Sequence, residues 1–319
     1  MRILVPLLLV LTVVTARPAL AATETIFPGA VARPNNKGDQ VIFYYDVRDG
    51  FTTFLNLRNE TTSTQDVVID FYGPDFSTPL SQTITLPAVP GDSGKPGTGG
   101  LVVIDVGSLK AQGLAATAGM AIATGVNAAG VPIVTRGISG NFTVANLATN
   151  SAWGSSGMAR SAINPPPPKT GDCTPSSPAV TLGTAIDGTN VYLTPIQPGT
   201  ADLPAFFNPD TLAPAALGGN QLIFVSFVDV PGPSYAAAAA KTTWTITGVK
   251  ASGAPIPQAT FNVNGVVVSD LVSVAGAVVN GASGALVFNA PASSEQLNRF
   301  IFFTETLGTF STGYLLPRR

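Results

Sequence analysis

Apolar and polar residues alternate along this chain in short bursts, never in long helical stripes. In "TTFLNLRN", Leu55 and Leu57 alternate with Phe54, Asn56 and Arg58. A period of two predicts a strand with one buried face. Similar runs follow one another through the first half: "QVIFYYDV", "FTTFLNLR", "DVVIDFYG", "SQTITLP", "LVVIDV", "GMAIATG", "PIVTRGI" and "NFTVANL". Turn residues bound each run. Asp49-Gly50 between two of them predicts a tight hairpin. The second half repeats the habit with "NVYLTPI", "QLIFVSF", "TTWTITGV", "QATFNV", "GVVVSDL", "GALVFNA", "RFIFFTETL" and "FSTGYLLP". Only "SYAAAAAK" suggests a helical turn. Evenly spaced short strands predict an all-β chain of two tandem antiparallel, Ig-like β-sandwich domains. Their expected bounds are 22–162 and 179–319, joined by the proline-rich linker 163–178 with its four consecutive prolines.

The halves also resemble each other. "TPLSQTITLP" then "GLVVIDVGSL" matches "APIPQATFNV" then "GVVVSDLVSV" in order and spacing, once residues 90–100 are set aside. "GMAIATG" parallels "GALVFNA", and "PIVTRGISGNFTV" parallels "RFIFFTETLGTFSTGYL". A tandem duplication is the reading expected from this order.

Composition narrows the setting. Arg2, a 14-residue apolar run and Ala19-Leu20-Ala21 form an expected secretory signal peptide over 1–21. The run is too short for a spanning helix, so no membrane span is expected. Removing 1–21 leaves 14 basic and 18 acidic residues, net −4. Charged residues are 11% of the chain, well under the roughly 25% of ordinary soluble domains. That argues against nucleic acid as a partner. The sole cysteine, Cys173, cannot close an internal disulfide, so packing must hold both halves.

Catalytic chemistry finds little to use. "GDSGKP" at 91–96 imitates a serine-protease signature, yet the chain has no histidine to activate Ser93, and Lys95 lies in a glycine-rich connection. Missing histidine also removes imidazole zinc sites. Asp46 with Asp49 and Asp70 with Asp75 are the carboxylate pairs available to a glycosidase or a calcium site, but both sit where turns and strands use aspartate locally. No cofactor is expected. Tyr44, Tyr45 and Trp153 are the candidate stacking residues for a glycan, with Trp153 expected in a loop and Trp244 in the core.

"GDQVIFYYDVRDGFTTFLNLRNETTSTQDVVIDFYGPD" and "NFTVANLATNSAWG" resemble a segment of exported bacterial β-sandwich proteins of unassigned activity. The resemblance covers about a third of the chain and implies a bacterial, secreted sandwich. It lends no catalytic residue.

The expected function is therefore a non-enzymatic structural or interaction protein, secreted or held at the cell surface, with the periplasm as a further compartment. The alternative is a secreted or periplasmic module for glycans or small ligands. Lysine, the usual guard of sheet edges, is scarce. The lysine-free run 299–317, with Phe300, Phe302, Phe303 and Tyr314, is the candidate edge strand for self-assembly, or for contact with other surface proteins. A second subunit's "TETIFPGAV" segment is its expected complement.

Overall fold

Where the sequence alternates, the chain pairs. A computed structural model describes residues 33–34, 37–89, 100–163, 180–196, 199–208, 220–230, 236–291, 297–307 and 310–317. The expected signal peptide, "TETIFPGAV", the Ser93 loop, Cys173 and the proline run lie outside these residues. Strands make up 62% of the described residues and helix 7%, so the protein is all-β, and every strand pairing is antiparallel.

Sheet I holds, in spatial order, β1 (Arg33–Pro34), β10 (Met158–Arg160), β2 (Gln40–Asp46), β7 (Ala118–Val126), β4 (Gln65–Tyr72) and β5 (Leu80–Leu86). Sheet II holds β6 (Leu101–Asp105), β3 (Phe51–Asn59), β8 (Ile138–Asn146) and β9 (Ser151–Ser156). In the second half one strand, β17 (Pro255–Asp270), serves two sheets. Its residues 255–264 complete sheet III after β13 (Thr200–Asn208), β18 (Ala282–Asn289) and β16 (Lys241–Lys250). Its residues 265–270 open sheet IV, which continues with β14 (Gln221–Val230), β19 (Leu297–Leu307) and β20 (Phe310–Leu315). The bend falls at Gly265, whose φ of +74° suits glycine. A short ladder of β11 (Ala162–Ile163) with β12 (Tyr192–Leu193) stands apart.

Read in chain order, the eight principal strands of the first half occupy the same places as those of the second. β2-β7-β4-β5 corresponds to β13-β18-β16-β17, and β6-β3-β8-β9 to β17-β14-β19-β20. Local details repeat. Asp105 accepts a hydrogen bond from the Gly107 N–H to start a 3-10 turn over Val106–Gln112, and Asp270 accepts one from Ser273 to start α1 (Leu271–Ala275). A Cβ on Gly119 would collide with the Tyr72 carbonyl, and one on Gly284 with the Val249 carbonyl.

Two cores fill the layers. Leu222, Phe224, Ile301 and Phe303 of sheet IV face Trp244, Ile246 and Phe288 of sheet III. The alternate residues Ile223, Val225, Phe227, Phe300 and Phe302 belong to the other core, with Val41, Tyr44, Leu55, Met120 and Phe142 of the first half. Sheet IV is therefore buried on both faces, and the layers stack as II, I, IV, III. The junction is not purely apolar. Arg160, wholly buried, pairs with Asp229 and donates to Gln40 Oε1 at 2.8 Å and Thr194 O at 2.8 Å.

Three expectations change. Asp49-Gly50 does not make a hairpin, because β2 and β3 belong to different sheets. It forms an arch, tied by Thr53 Oγ1, which accepts from Asp46 N at 2.8 Å and donates to Asp46 O at 2.9 Å. Within the alanine run, β15 (Ala236–Ala239) is a strand beside β14. Pairing with Phe227–Val230 outweighs the helical preference of alanine. "QATFNV" and "GVVVSDL", expected as two strands, are one.

Candidate functional site

The aromatic candidates are placed first by burial. Tyr44 and Tyr45 are 1% and 0% exposed, since β2 is covered on both faces. Neither can stack on a ligand. Burial, followed by the Asp46 charge, pushes the Tyr44 phenol well above its ordinary value, and burial alone raises Tyr45. Trp153 lies in a strand, not a loop. It is half-buried, stacks on Tyr44 with 6.0 Å between centroids, and meets Phe142 edge-on at 5.4 Å. Trp244 is in the core as expected, with the Arg299 guanidinium 5.9 Å from its ring centroid.

The proposed assembly strand is also relocated. β19 is paired on one side with β14 and on the other with β20. Phe300, Phe302 and Phe303 are buried, because alternate faces of β19 belong to different cores. Tyr314 is half-buried beside Phe303 at 5.9 Å. The β19 part of the run is therefore core, whereas β20, paired with β19 alone among the described strands, is the end strand of sheet IV.

Of the two carboxylate pairs, Asp46, Asp70 and Asp75 are locally engaged. Asp46 accepts from Arg48 Nε at 3.0 and 3.1 Å and from Tyr44 Oη at 3.4 Å. The bond to Asp46 is the first cause that raises the Arg48 guanidinium pKa. Burial raises the Asp70 carboxyl, partly offset by the bond from Ser81. The Ser77 N–H and hydroxyl hold Asp75 below its ordinary value. Among the described residues no group of three or more acidic or cysteine side chains could hold a metal ion.

The site that sequence reasoning missed is on the outer face of sheet II. An open groove of about 400 Å³ is lined by Asn56, Arg58, Glu60, Leu101, Ser139, Gly140, Asn141 and Ser156. Inside it Asn56 Nδ2 donates to Asn141 Oδ1 at 2.7 Å, and Ser139 Oγ to Glu60 Oε1 at 2.7 Å. Alongside, Phe54, Leu101 and Val103 stand 36%, 51% and 56% exposed.

Strand register explains where this groove comes from. In sheet II, Arg58 lies between Leu101 and Ser139, and Asn56 between Val103 and Asn141. In sheet IV, Val225 lies between Val266 and Phe300, and Ile223 between Val268 and Phe302. Asn141 pairs with Ser156, as Phe302 pairs with Leu315. Thus six groove residues, Asn56, Arg58, Leu101, Ser139, Asn141 and Ser156, correspond to Ile223, Val225, Val266, Phe300, Phe302 and Leu315. All six counterparts belong to or pack against the core shared with the first half. Replacing two phenylalanines and a leucine by asparagine and serine removes bulk and leaves the groove.

No protein family, curated protein or solved structure matches this chain. The site therefore rests on its own geometry. A similar uncovered face closes the other end of the stack. On sheet III, Phe207 pairs with Ser283, and Val249 lies between Ala285 and Pro255, all on the side away from the core. Phe207 and Val249 are 48% and 49% exposed. Thr243, Thr245, Thr247 and Asn262 continue the face, with Lys241 and Asp202 as its charged residues.

Proposed function

We propose that this chain is an exported, non-enzymatic structural or interaction protein of a bacterial cell surface or extracellular assembly. It is built from two copies of one β-sandwich unit. The matching strand order, the paired Asp105 and Asp270 caps and the paired Gly119 and Gly284 contacts support duplication. One observation carries the functional reading. Five of the eight exposed large apolar side chains among the described residues, Phe54, Leu101, Val103, Phe207 and Val249, lie on the two end faces of the stack. Exposed apolar groups gathered on flat sheet faces mark surfaces that meet other proteins. No described helix is long and apolar enough to cross a membrane.

The experiment is fractionation of cells that carry the native gene, with antibody imaging of the protein. Recovery in a surface layer, filament or matrix agrees with the proposal. Recovery only as a dispersed soluble species opposes it. The polar lining of the sheet II groove favours a second reading, a module for a hydrophilic ligand such as a glycan. Saturable binding of a defined oligosaccharide that is lost in Asn141→Ala would favour it.

A further inference from the structure

Within the molecule, the outer face of sheet I rests on the outer face of sheet IV. The Tyr72 hydroxyl reaches the Ala237 backbone, Tyr72 packs on Phe76, and Phe76 stacks on Phe227 at 5.0 Å. Past the edge of sheet I, Phe302 also reaches Phe142 and Trp153 of sheet II, at 5.4 and 6.4 Å. Each partner in this contact has an uncovered counterpart. The groove face of sheet II corresponds to the sheet IV side, residue by residue as given above. Sheet III supplies the other side: its Val249–Ala285 pair corresponds to the buried Tyr72–Met120 pair of sheet I.

We propose that the outer face of sheet III in one copy docks on the outer face of sheet II in the next, repeating between molecules the contact that joins the two halves. The occupant of the groove is a second copy of this chain. This rests on the structural-protein reading and deepens it. The two surfaces differ, so the contact is heterologous and does not close on itself as a twofold dimer would; it propagates head to tail. The exposed apolar side chains supply the attraction: Leu101 and Val103 on one face, Phe207 and Val249 on the other. Asn56, Asn141, Ser139 and Ser156 replace the apolar groups of the internal contact, so the intermolecular one is wetter and reversible, as polar interfaces with bridging water are. Neither face carries a run of like charge that would oppose approach: sheet II offers Arg58, Glu60 and Asp105, and sheet III offers Lys241 and Asp202.

Sedimentation velocity of the mature chain across a concentration series tests this. The expected result is a weight-average sedimentation coefficient that climbs without a plateau at the dimer. Leu101→Asp with Val103→Asp blocks one face; Phe207→Asp with Val249→Asp blocks the other. Each double variant alone is expected to remain monomeric. Mixed in equal amounts they should form a dimer and nothing larger, because each retains the face the other lacks. Leu182→Asp with Val230→Asp adds the same charge at exposed positions outside sheets II and III and should assemble like the parent. Far-UV circular dichroism checks that all variants are folded. A parent that stays monomeric to about millimolar concentration, blocked variants that still assemble, or a mixture that stays monomeric each overturns the proposal. Assembly that ignores both blocks overturns it while leaving the structural-protein reading in place. Dispersed soluble protein in cells counts against that reading itself.

Discussion

Replacing Asp229 by alanine should be among the costliest single changes in the protein. Arg160 has no exposed surface, and its guanidinium is held by Asp229, Gln40 and the Thr194 carbonyl. Asp229→Ala removes the carboxylate that both Arg160 Nη atoms bond. Gln40 and Thr194 remain, but neither neutralises a buried cation. Removing one partner of a buried ion pair costs about 3–5 kcal/mol, mostly because the other charge is stranded. At about 2–4 °C per kcal/mol, the midpoint should fall by roughly 6–20 °C. Urea unfolding followed by circular dichroism gives the free energy, and scanning calorimetry the midpoint. Arg160→Met combined with Asp229→Leu supplies the control, since an apolar pair of similar volume is often neutral or stabilising in place of buried charges. If Asp229→Ala loses less than about 1 kcal/mol, or if the double variant is as unstable as the single one, the stranded-charge reasoning is wrong.

Phe302, at the meeting of Phe142, Trp153 and Phe300, should cost about 3–5 kcal/mol on truncation to alanine. Because it belongs to the core common to both halves, calorimetry should show one cooperative transition in the parent protein; two well-separated peaks would contradict the shared core. Gly119→Ala and Gly284→Ala should each destabilise markedly, as the added methyl meets a backbone carbonyl that cannot swing aside; a midpoint within 2 °C of the parent, under about 1 kcal/mol, would refute this for either. Desolvation opposes ionisation of Asp187, but the N–H groups of Val191, Asn190 and Thr189 and the Asn190 amide outweigh it, so its folded carboxyl lies well below the ordinary range. Its contribution is present above the unfolded value of about 3.9 and is lost as pH falls through the folded one. Protection factors of amides in the 181–196 loop, taken against the unfolded rate at the same pH, should therefore fall below about pH 4 in the parent, and Asp187→Ala should show low protection already at neutral pH.

Much of the strand content was legible because burial follows the period. Leu55 and Leu57 are buried and Phe54 and Arg58 exposed, as alternation requires. Order along the chain was legible too, through "LVVIDV" and "VVVSD", whose equivalence reappears in register and in the capping aspartates. What alternation cannot say is what lies beyond the second face. "QVIFYYD" and "LIFVSF" are apolar at nearly every position, the mark of strands covered on both sides. That continuity was the available sign that the halves share a core. β13 escaped notice because Pro204 interrupts "TADLPAFFN", and the ladder shifts register there between Leu203 and Phe206. The groove had no sequence signature at all: its residues come from four segments, and only the ladder aligns them with their apolar counterparts.

The two halves also differ in how one sheet hands the chain to the next. In the second half β17 does so without interruption through Gly265. In the first half β5 ends at Leu86 and β6 begins at Leu101, and Gly100, with φ +84°, holds the place of Gly265. Foreign sequence spliced between residues 89 and 100 therefore breaks no described ladder, because both flanking strands are already anchored by their own neighbours, β4 and β3. The same insertion at Gly265 would sever a strand that two sheets depend on. The first half thus carries a natural port for an epitope tag or a displayed peptide, and the second half has none at the matching place.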